Sequence, residues 1–314
     1  MEHYLNLTST VENGSTLVKT IHKKGYPAID PSRPELSQAG RTILITGGSG
    51  GIGFAIARGF AQAGAAQVII TGRRANALDE SVAKLRAEFS GGTTKFAGRA
   101  VEVSDLVATE KLWKGFEDDG IVVDVLALNA ASFEALPILD QGVEKVWAQF
   151  GVNVRGHLDY TERFYHQKKA PEGHAKVGDR ISGTVVSVTN TSIHDFVRSG
   201  PVPSYSLTKN SGTLLLQQIA KDTPPEKMQV VSFHPGTVYT DGVVGFIPRD
   251  AFDFDEDTLG GHFAVWAASE EARFLHGRYI WAGWDLDEVR NGEVYEKITK
   301  NPHFLQIGVV GLHQ

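Results

Sequence analysis

The chain has 314 residues, a formal net charge of −6 and no cysteine. The missing thiols exclude disulfides, thiolate metal sites and a thiol nucleophile. The mild acidity, without a long basic run, argues against nucleic acid or an anionic membrane as partner, and no apolar stretch reaches the roughly 20 residues that span a bilayer.

In chain order, residues 1–39 are polar and carry Pro27, Pro31 and Pro34 without periodicity, which predicts an extended arm. Its first residues lack the basic flank and apolar core of an export signal, so the cytoplasm is the expected location. From residue 40 onward short β-branched runs alternate with helical stretches. Strands are predicted over 42–46, 67–71, 97–103, 122–128, 184–188, 229–233 and 278–282. Helices are predicted over 52–63, 75–89, 105–116, 141–167 and 204–222, with a long polar connection over 168–183. This alternation implies an α/β fold: one doubly wound parallel sheet of about seven strands, helices on both faces, in a single domain over 40–314.

The first strand runs into Thr46-Gly47-Gly48-Ser49-Gly50-Gly51-Ile52-Gly53, and a helix comes directly after. Glycines there let backbone N–H groups approach a diphosphate, and the helix N-terminus adds positive potential. The plainer alternative is a flexible surface turn. The second strand ends at Thr71-Gly72-Arg73-Arg74. An acid at this point would suit a ribose 2′-hydroxyl, whereas an arginine suits a 2′-phosphate. The sequence therefore points to NADP(H) rather than NAD(H), unless the arginines are simply solvated.

Tyr205 and Lys209 lie four residues apart at the start of the helix behind the fifth strand. That spacing puts both on one helix face. An ammonium and an oxidised nicotinamide nearby would lower the phenol pKa, so that Tyr205 could exchange a proton with a carbonyl or alcohol oxygen. No cluster has metal-ligand spacing, and no metal is expected.

With these motifs, the chain over 40–290 resembles the short-chain dehydrogenase/reductase family. The glycine loop (Gly47, Ser49, Gly51, Ile52, Gly53) resembles that family's cofactor signature, and Tyr205-xxx-Lys209 its catalytic signature. The resemblance implies a Rossmann fold and further site residues. Asn129-Ala130 looks like the family's Asn-Ala-Gly segment, and Asn153 like the asparagine that holds a water in its proton relay. Pro235-Gly236-Thr237-Val238-Tyr239-Thr240 is similar to the turn that contacts the nicotinamide, and Glu102-Val103 stands where Asp-Val usually flanks the adenine.

The family's carbonyl-polarising serine has two candidates. Counting back from Tyr205 lands on Ser192, and counting forward along the fifth strand lands on Asn190. The forward count is favoured, because a strand keeps its length where a loop varies. Residues 241–262 resemble the family's mobile substrate lid; Val243, Val244, Phe246, Ile247, Phe252 and Phe254 suit a bulky apolar substrate or pack the loop onto the core. His194, Arg198 and His234 are candidate pocket residues. The C-terminal run from Gly277 and the proline-containing arm are similar to fungal members, often of secondary metabolism.

The implied activity is a ketoreductase: NADP(H)-dependent hydride transfer to a carbonyl, in a homodimer or homotetramer. Non-redox use of the same pocket, as in a cyclase or a dinucleotide sensor, is the alternative, and a third is NAD-dependent oxidation.

Overall fold

Runs such as Thr-Ile-Leu-Ile-Thr have no polar face, so they form strands covered on both sides. A computed structural model describes residues 17–167, 183–195, 199–200, 202–240, 244, 248–251 and 253–309. Within them seven strands pair in parallel: β1 (Thr42–Thr46), β2 (Gln67–Gly72), β3 (Lys95–Ala100), β4 (Val125–Leu128), β5 (Thr184–Val188), β6 (Gln229–His234) and β7 (Arg278–Trp281). Their order is β3-β2-β1-β4-β5-β6-β7. Ile43 of β1 stands opposite both Val68 of β2 and Val125 of β4. The winding reverses between β1 and β4, which opens a crevice at the carboxyl ends of the strands.

The helices are α1 (Gly51–Gln62), α2 (Ala75–Glu88), α3 (Leu106–Asp118), α4 (Ile138–Gln141), α5 (Val143–Phe150), α6 (Gly156–His166), α7 (Pro203–Asp222), α8 (Asp257–Ala267), α9 (Leu286–Asn291) and α10 (Glu293–Lys300). Strand side chains alternate between faces. Ile43 and Ile45 join one core with Phe60, Phe263 and Trp266, while Leu44 joins the other with Tyr160, Phe164 and Leu216.

Several boundaries differ from the sequence expectation. β3 starts two residues early, because Phe96 packs on Phe89 and pairs with Val68. Glu102 and Val103 therefore come after the strand instead of lying in it. β4 begins at Val125, since Ile121 N–H donates to the Phe116 carbonyl and closes α3. The single helix expected over 141–167 is broken twice. Gly142 adopts φ +82°, and Gly151–Arg155 form a π-helical turn between α5 and α6. α8, with Leu259, Phe263, Trp266 and both its glycines buried, shows no polar face from which its period could be read. It begins at Asp257, inside the segment expected to form the lid.

The arm wraps the domain. Ile21 bridges to Trp284, the Tyr26 hydroxyl donates to the Trp284 carbonyl at 2.8 Å, and Ile29 and Leu36 are fully buried. Of the lid residues, Val243, Phe246, Ile247 and Phe252 lie outside the described residues, as do Arg198 and positions 168–182.

Candidate active site

β1 delivers Thr46 to the crevice. Its hydroxyl accepts the Asn129 and Ala130 N–H groups at 2.9 and 3.1 Å, and the Asn129 amide donates to the Thr46 and Gly47 carbonyls, each at 3.0 Å. Asn129 thus ties the glycine loop to the end of β4. A Cβ on Gly53 would stand 2.3 Å from the Gly47 carbonyl, and Gly47 itself has φ +67°, so larger residues are excluded at both positions. No side chain caps the N-terminus of α1. A helix N-terminus offers its first N–H groups to an anion, and the loop can hold a diphosphate.

The turn after β6 closes the other side. The Thr240 methyl lies 3.0 Å from where a Cβ on Gly51 would be. Gly236 has φ +95°, and Asp255 accepts the Thr237 N–H at 2.6 Å and bridges to Val238. Pro235 is buried behind this turn and Ile52 half-buried behind the loop. At the end of β2, Ser49 lies over Gly72, and Arg73 and Arg74 are exposed. Arg73 Nε is 3.7 Å from Glu102 Oε2, and Val103 is buried beneath.

The π turn aims Asn153 into the site. Its side chain accepts the Ser132 N–H at 2.8 Å and donates to the Ser132 carbonyl and the Thr208 hydroxyl at 2.7 and 2.8 Å. A residue inserted into a helix rotates every later side chain about the axis, and such turns recur at functional sites. A buried trio then fixes the first turn of α7: the Ser204 hydroxyl and the Gln149 amide both donate to Gln141 Oε1, at 2.9 and 3.0 Å. No motif in the sequence announces these residues, which couple α4, α5 and α7.

Tyr205 and Lys209 share one face of α7, with Lys209 Nζ 5.8 Å from the Tyr205 ring centre. Lys209 is buried, donates to the Val188 carbonyl at 2.8 Å, and burial lowers its pKa to about 8. Burial pushes the Tyr205 phenol up to about 12, although a side-chain hydrogen bond with Asn190 opposes the rise. In the chain alone desolvation outweighs that hydrogen bond; the lowering expected from the sequence belongs to a site that also holds an oxidised nicotinamide. Asn190 and Ser192 both reach this point. Ser192 donates to Asn190 Oδ1 at 2.7 Å, Ser206 donates to Ser192 at 2.8 Å, and the Tyr279 hydroxyl donates to the Asn190 carbonyl at 3.2 Å.

Phe133 meets Tyr205 edge-on at 5.9 Å, another contact the sequence did not signal. After β6, Tyr239 and Phe254 pack together, with the Arg249 guanidinium over both rings. His194 meets Tyr279 and Trp281 of β7 at a tilt, and His234 meets Trp281 edge-on.

Residues 41–247 match the short chain dehydrogenase family. The chain belongs to that family. Family members are oxidoreductases acting on CH–OH groups, and the Rossmann sheet is theirs. Among similar relatives is the short chain dehydrogenase/reductase nsrO of Aspergillus novofumigatus, 31% identical, covering 93% of this chain and 96% of that protein. Another is AacuD of Aspergillus aculeatus, 29% identical over 93% and 96%. A 3-oxoacyl-(acyl-carrier-protein) reductase from Agrobacterium tumefaciens, solved with NADP bound, shares the fold at a TM-score of 0.65 and 24% identity, over 78% of this chain and 94% of that one. Pseudomonas aeruginosa RhlG, solved as an NADP complex, superposes at 0.69 with 20% identity, over 79% and 97%.

Proposed function

We propose that this dehydrogenase is an NADPH-dependent ketoreductase acting on a bulky, mostly apolar carbonyl compound. The observation that carries the reading is Tyr205 and Lys209 on one face of α7, with the Asn190 side chain bonded to the phenol at the carboxyl end of β5. The cradle of Gly47, Ser49, Gly51, Ile52 and Gly53 would hold the diphosphate, Arg73 and Arg74 the 2′-phosphate, and Glu102-Val103 the adenine side. Asn129-Ala130 and the turn Pro235-Gly236…Val238…Thr240 would flank the nicotinamide. When bound, NADPH supplies the hydride.

The chain supplies orientation and a proton. Raised by burial, Tyr205 stays a neutral donor at physiological pH, as a general acid for a carbonyl oxygen requires. Asn190 can offer its amide N–H to the same oxygen, because its Oδ1 is taken by Ser192. Phe133, edge-on to Tyr205, gives the phenol an aromatic neighbour, which suits a bulky apolar ketone. Such substrates fit secondary metabolism, and a cytoplasmic location fits a supply of NADPH.

The test is consumption of NADPH with a panel of bulky ketones. Tyr205→Phe is expected to bind NADPH normally and lose about two to four orders of magnitude in turnover; near-normal turnover would sink the mechanism. Wild type is expected to prefer NADPH to NADH, and Arg73→Ala to weaken NADPH alone by about ten- to a hundredfold. Equal binding of both cofactors by wild type would remove the assignment.

Self-association belongs to the same proposal. Val143, Trp147, Leu158, Leu207 and Leu214 are exposed along α5, α6 and α7. A groove of about 650 Å³ beside Arg73 and Glu102 continues past Ser132 between Trp147, Val154 and Leu158; neither Tyr205 nor Lys209 lines it. An isologous contact with a second copy would cover this apolar face in a homodimer, or in a homotetramer built from two.

A further inference from the structure

The arm passes close behind the turn that follows β6. Between the end of β7 and the start of α8, the His22 N–H donates to the Gly283 carbonyl at 2.7 Å, and the Lys23 carbonyl accepts the Glu256 N–H at 2.7 Å. The Gly25 N–H donates to the Thr258 hydroxyl at 3.2 Å. Lys23 Nζ adds the Asp253 carbonyl at 3.1 Å and the Asp253 carboxylate at 2.6 Å. A Cβ on Gly25 would stand 2.5 Å from His262 Nδ1, so the arm lies directly against α8 here. Residues 253–258 are therefore held by the arm through backbone and side chain alike.

The same short segment grips the turn. The Asp255 N–H donates to the Thr237 carbonyl at 2.9 Å, and Asp255 Oδ2 accepts the Thr237 N–H at 2.6 Å. One aspartate thus satisfies both backbone groups of Thr237, a residue that is itself exposed and has little packing to fix it. A Cβ on Gly236 would stand 2.7 Å from that same Oδ2, and Gly236 has φ +95°, so only glycine lets the turn come this close. Burial raises the Asp255 pKa and the charge of Asp253 adds to the rise, whereas the Thr237 N–H and the charge of Lys23 pull it down. The ammonium of the arm therefore acts on the carboxylate that grips the turn. At its far end the turn sets Thr240 against Gly51 of the glycine loop. Three links run in series: Lys23 to Glu256, Asp255 to Thr237, and Thr240 to Gly51.

We propose that Asp255 is a positioning residue for the nicotinamide half of the cofactor, and that the arm belongs to the cofactor site because it braces Asp255 from behind. This rests on the reading of the 235–240 turn as the nicotinamide flank. On that reading the phosphates are met by the glycine loop and Arg73, which Asp255 does not touch, so losing the brace should weaken one half of the cofactor site and spare the other. Coupling is reciprocal, so bound NADPH must in turn stabilise the brace.

The experiment compares NADPH with 2′-phospho-ADP-ribose, the same molecule without its nicotinamide, by calorimetric titration of wild type, Asp255→Ala and Asp255→Asn. Asp255→Ala is expected to bind NADPH about tenfold more weakly, the loss of one hydrogen bond to a charged group. Its affinity for 2′-phospho-ADP-ribose is expected within about twofold of wild type. Asp255→Asn keeps a side-chain acceptor and should bind NADPH within about threefold of wild type. Unchanged NADPH affinity in Asp255→Ala overturns the proposal, as does equal weakening of both ligands, which general damage to the fold produces. A second measurement needs no variant: hydrogen exchange of the Thr237 and Glu256 amides in wild type. Both are expected to exchange more slowly when NADPH is bound than with 2′-phospho-ADP-ribose. A Glu256 amide that responds equally to the two ligands removes the arm from the site. Wild type that binds neither ligand defeats the cofactor reading, whereas wild type that binds both, with Asp255→Ala unchanged, defeats only this inference.

Discussion

At the scale of single residues, Asn190 and Ser192 compete for one role, and hydrogen bonding separates them. The Ser192 hydroxyl donates to Asn190 Oδ1 and accepts from Ser206, so it acts on the phenol through Asn190. The Asn190 side chain bonds to Tyr205 itself, and Tyr279 holds the Asn190 backbone from behind. With Oδ1 taken by Ser192, the Asn190 amide N–H group is the part left to meet another acceptor. Asn190→Ala is expected to cost about a hundredfold in turnover, the usual loss on removing a stabilising donor. Ser192→Ala leaves the amide present but less well held, and should cost under about tenfold. Both are to be measured on one ketone, with NADPH binding as control. The reverse ranking would make Ser192 the polarising group.

At the scale of elements, the site depends on how helices are interrupted and how the arm is clamped. The π turn at Gly151–Arg155 brings Asn153 onto Ser132 and Thr208, and the trio of Gln141, Gln149 and Ser204 locks α7 against α4 and α5. On the opposite side Glu271 clamps the arm to the C-terminal helices. It accepts from Arg33 at 2.7 Å, Arg290 at 2.5 Å and the Trp266 indole at 2.9 Å. Burial would raise its pKa, but the hydrogen bonds from Arg33 and Arg290 outweigh it and hold the carboxyl below its ordinary value. A depressed carboxyl stabilises fully above the ordinary carboxylate range, and that stability is lost as pH falls through the depressed value. Glu271→Gln is therefore expected to lose about 1–2 kcal/mol at neutral pH, a value reduced for partial exposure. The gap from wild type should close in acid. Thermal melts at both pH values check this, and a gap that persists in acid would show that the charge is not what clamps the arm.

At the scale of the whole molecule, the exposed apolar strip on α5, α6 and α7 matters most. Trp147 is 64% exposed and Leu158 43%, both beside the groove. If a second copy covers them, Trp147→Glu buries a charge in the contact and should produce monomers in sedimentation velocity, with little change in the melting temperature of the isolated chain. A wild-type monomer at micromolar concentration would end the proposal. Among the described residues no helix is long and apolar enough to cross a membrane.

The sequence by itself determined the sheet and its cofactor loop. Buried parallel strands must be apolar along their whole length, and a glycine loop between strand and helix has few other uses, so Thr42–Thr46, Thr184–Val188 and the Gly47–Gly53 stretch were legible locally. The Tyr205/Lys209 face was legible too, since helical spacing alone places it. Tertiary structure decided the rest. A helix such as α8, buried over most of its surface, carries little amphipathic period, and a π turn costs only one residue of phase. The phenol pKa turned on desolvation, which depends on what the rest of the fold stacks over Tyr205. His157 belongs to the same class: in sequence it is one histidine among 11, and only the packing of α6 against α7 sets it beside Gly212.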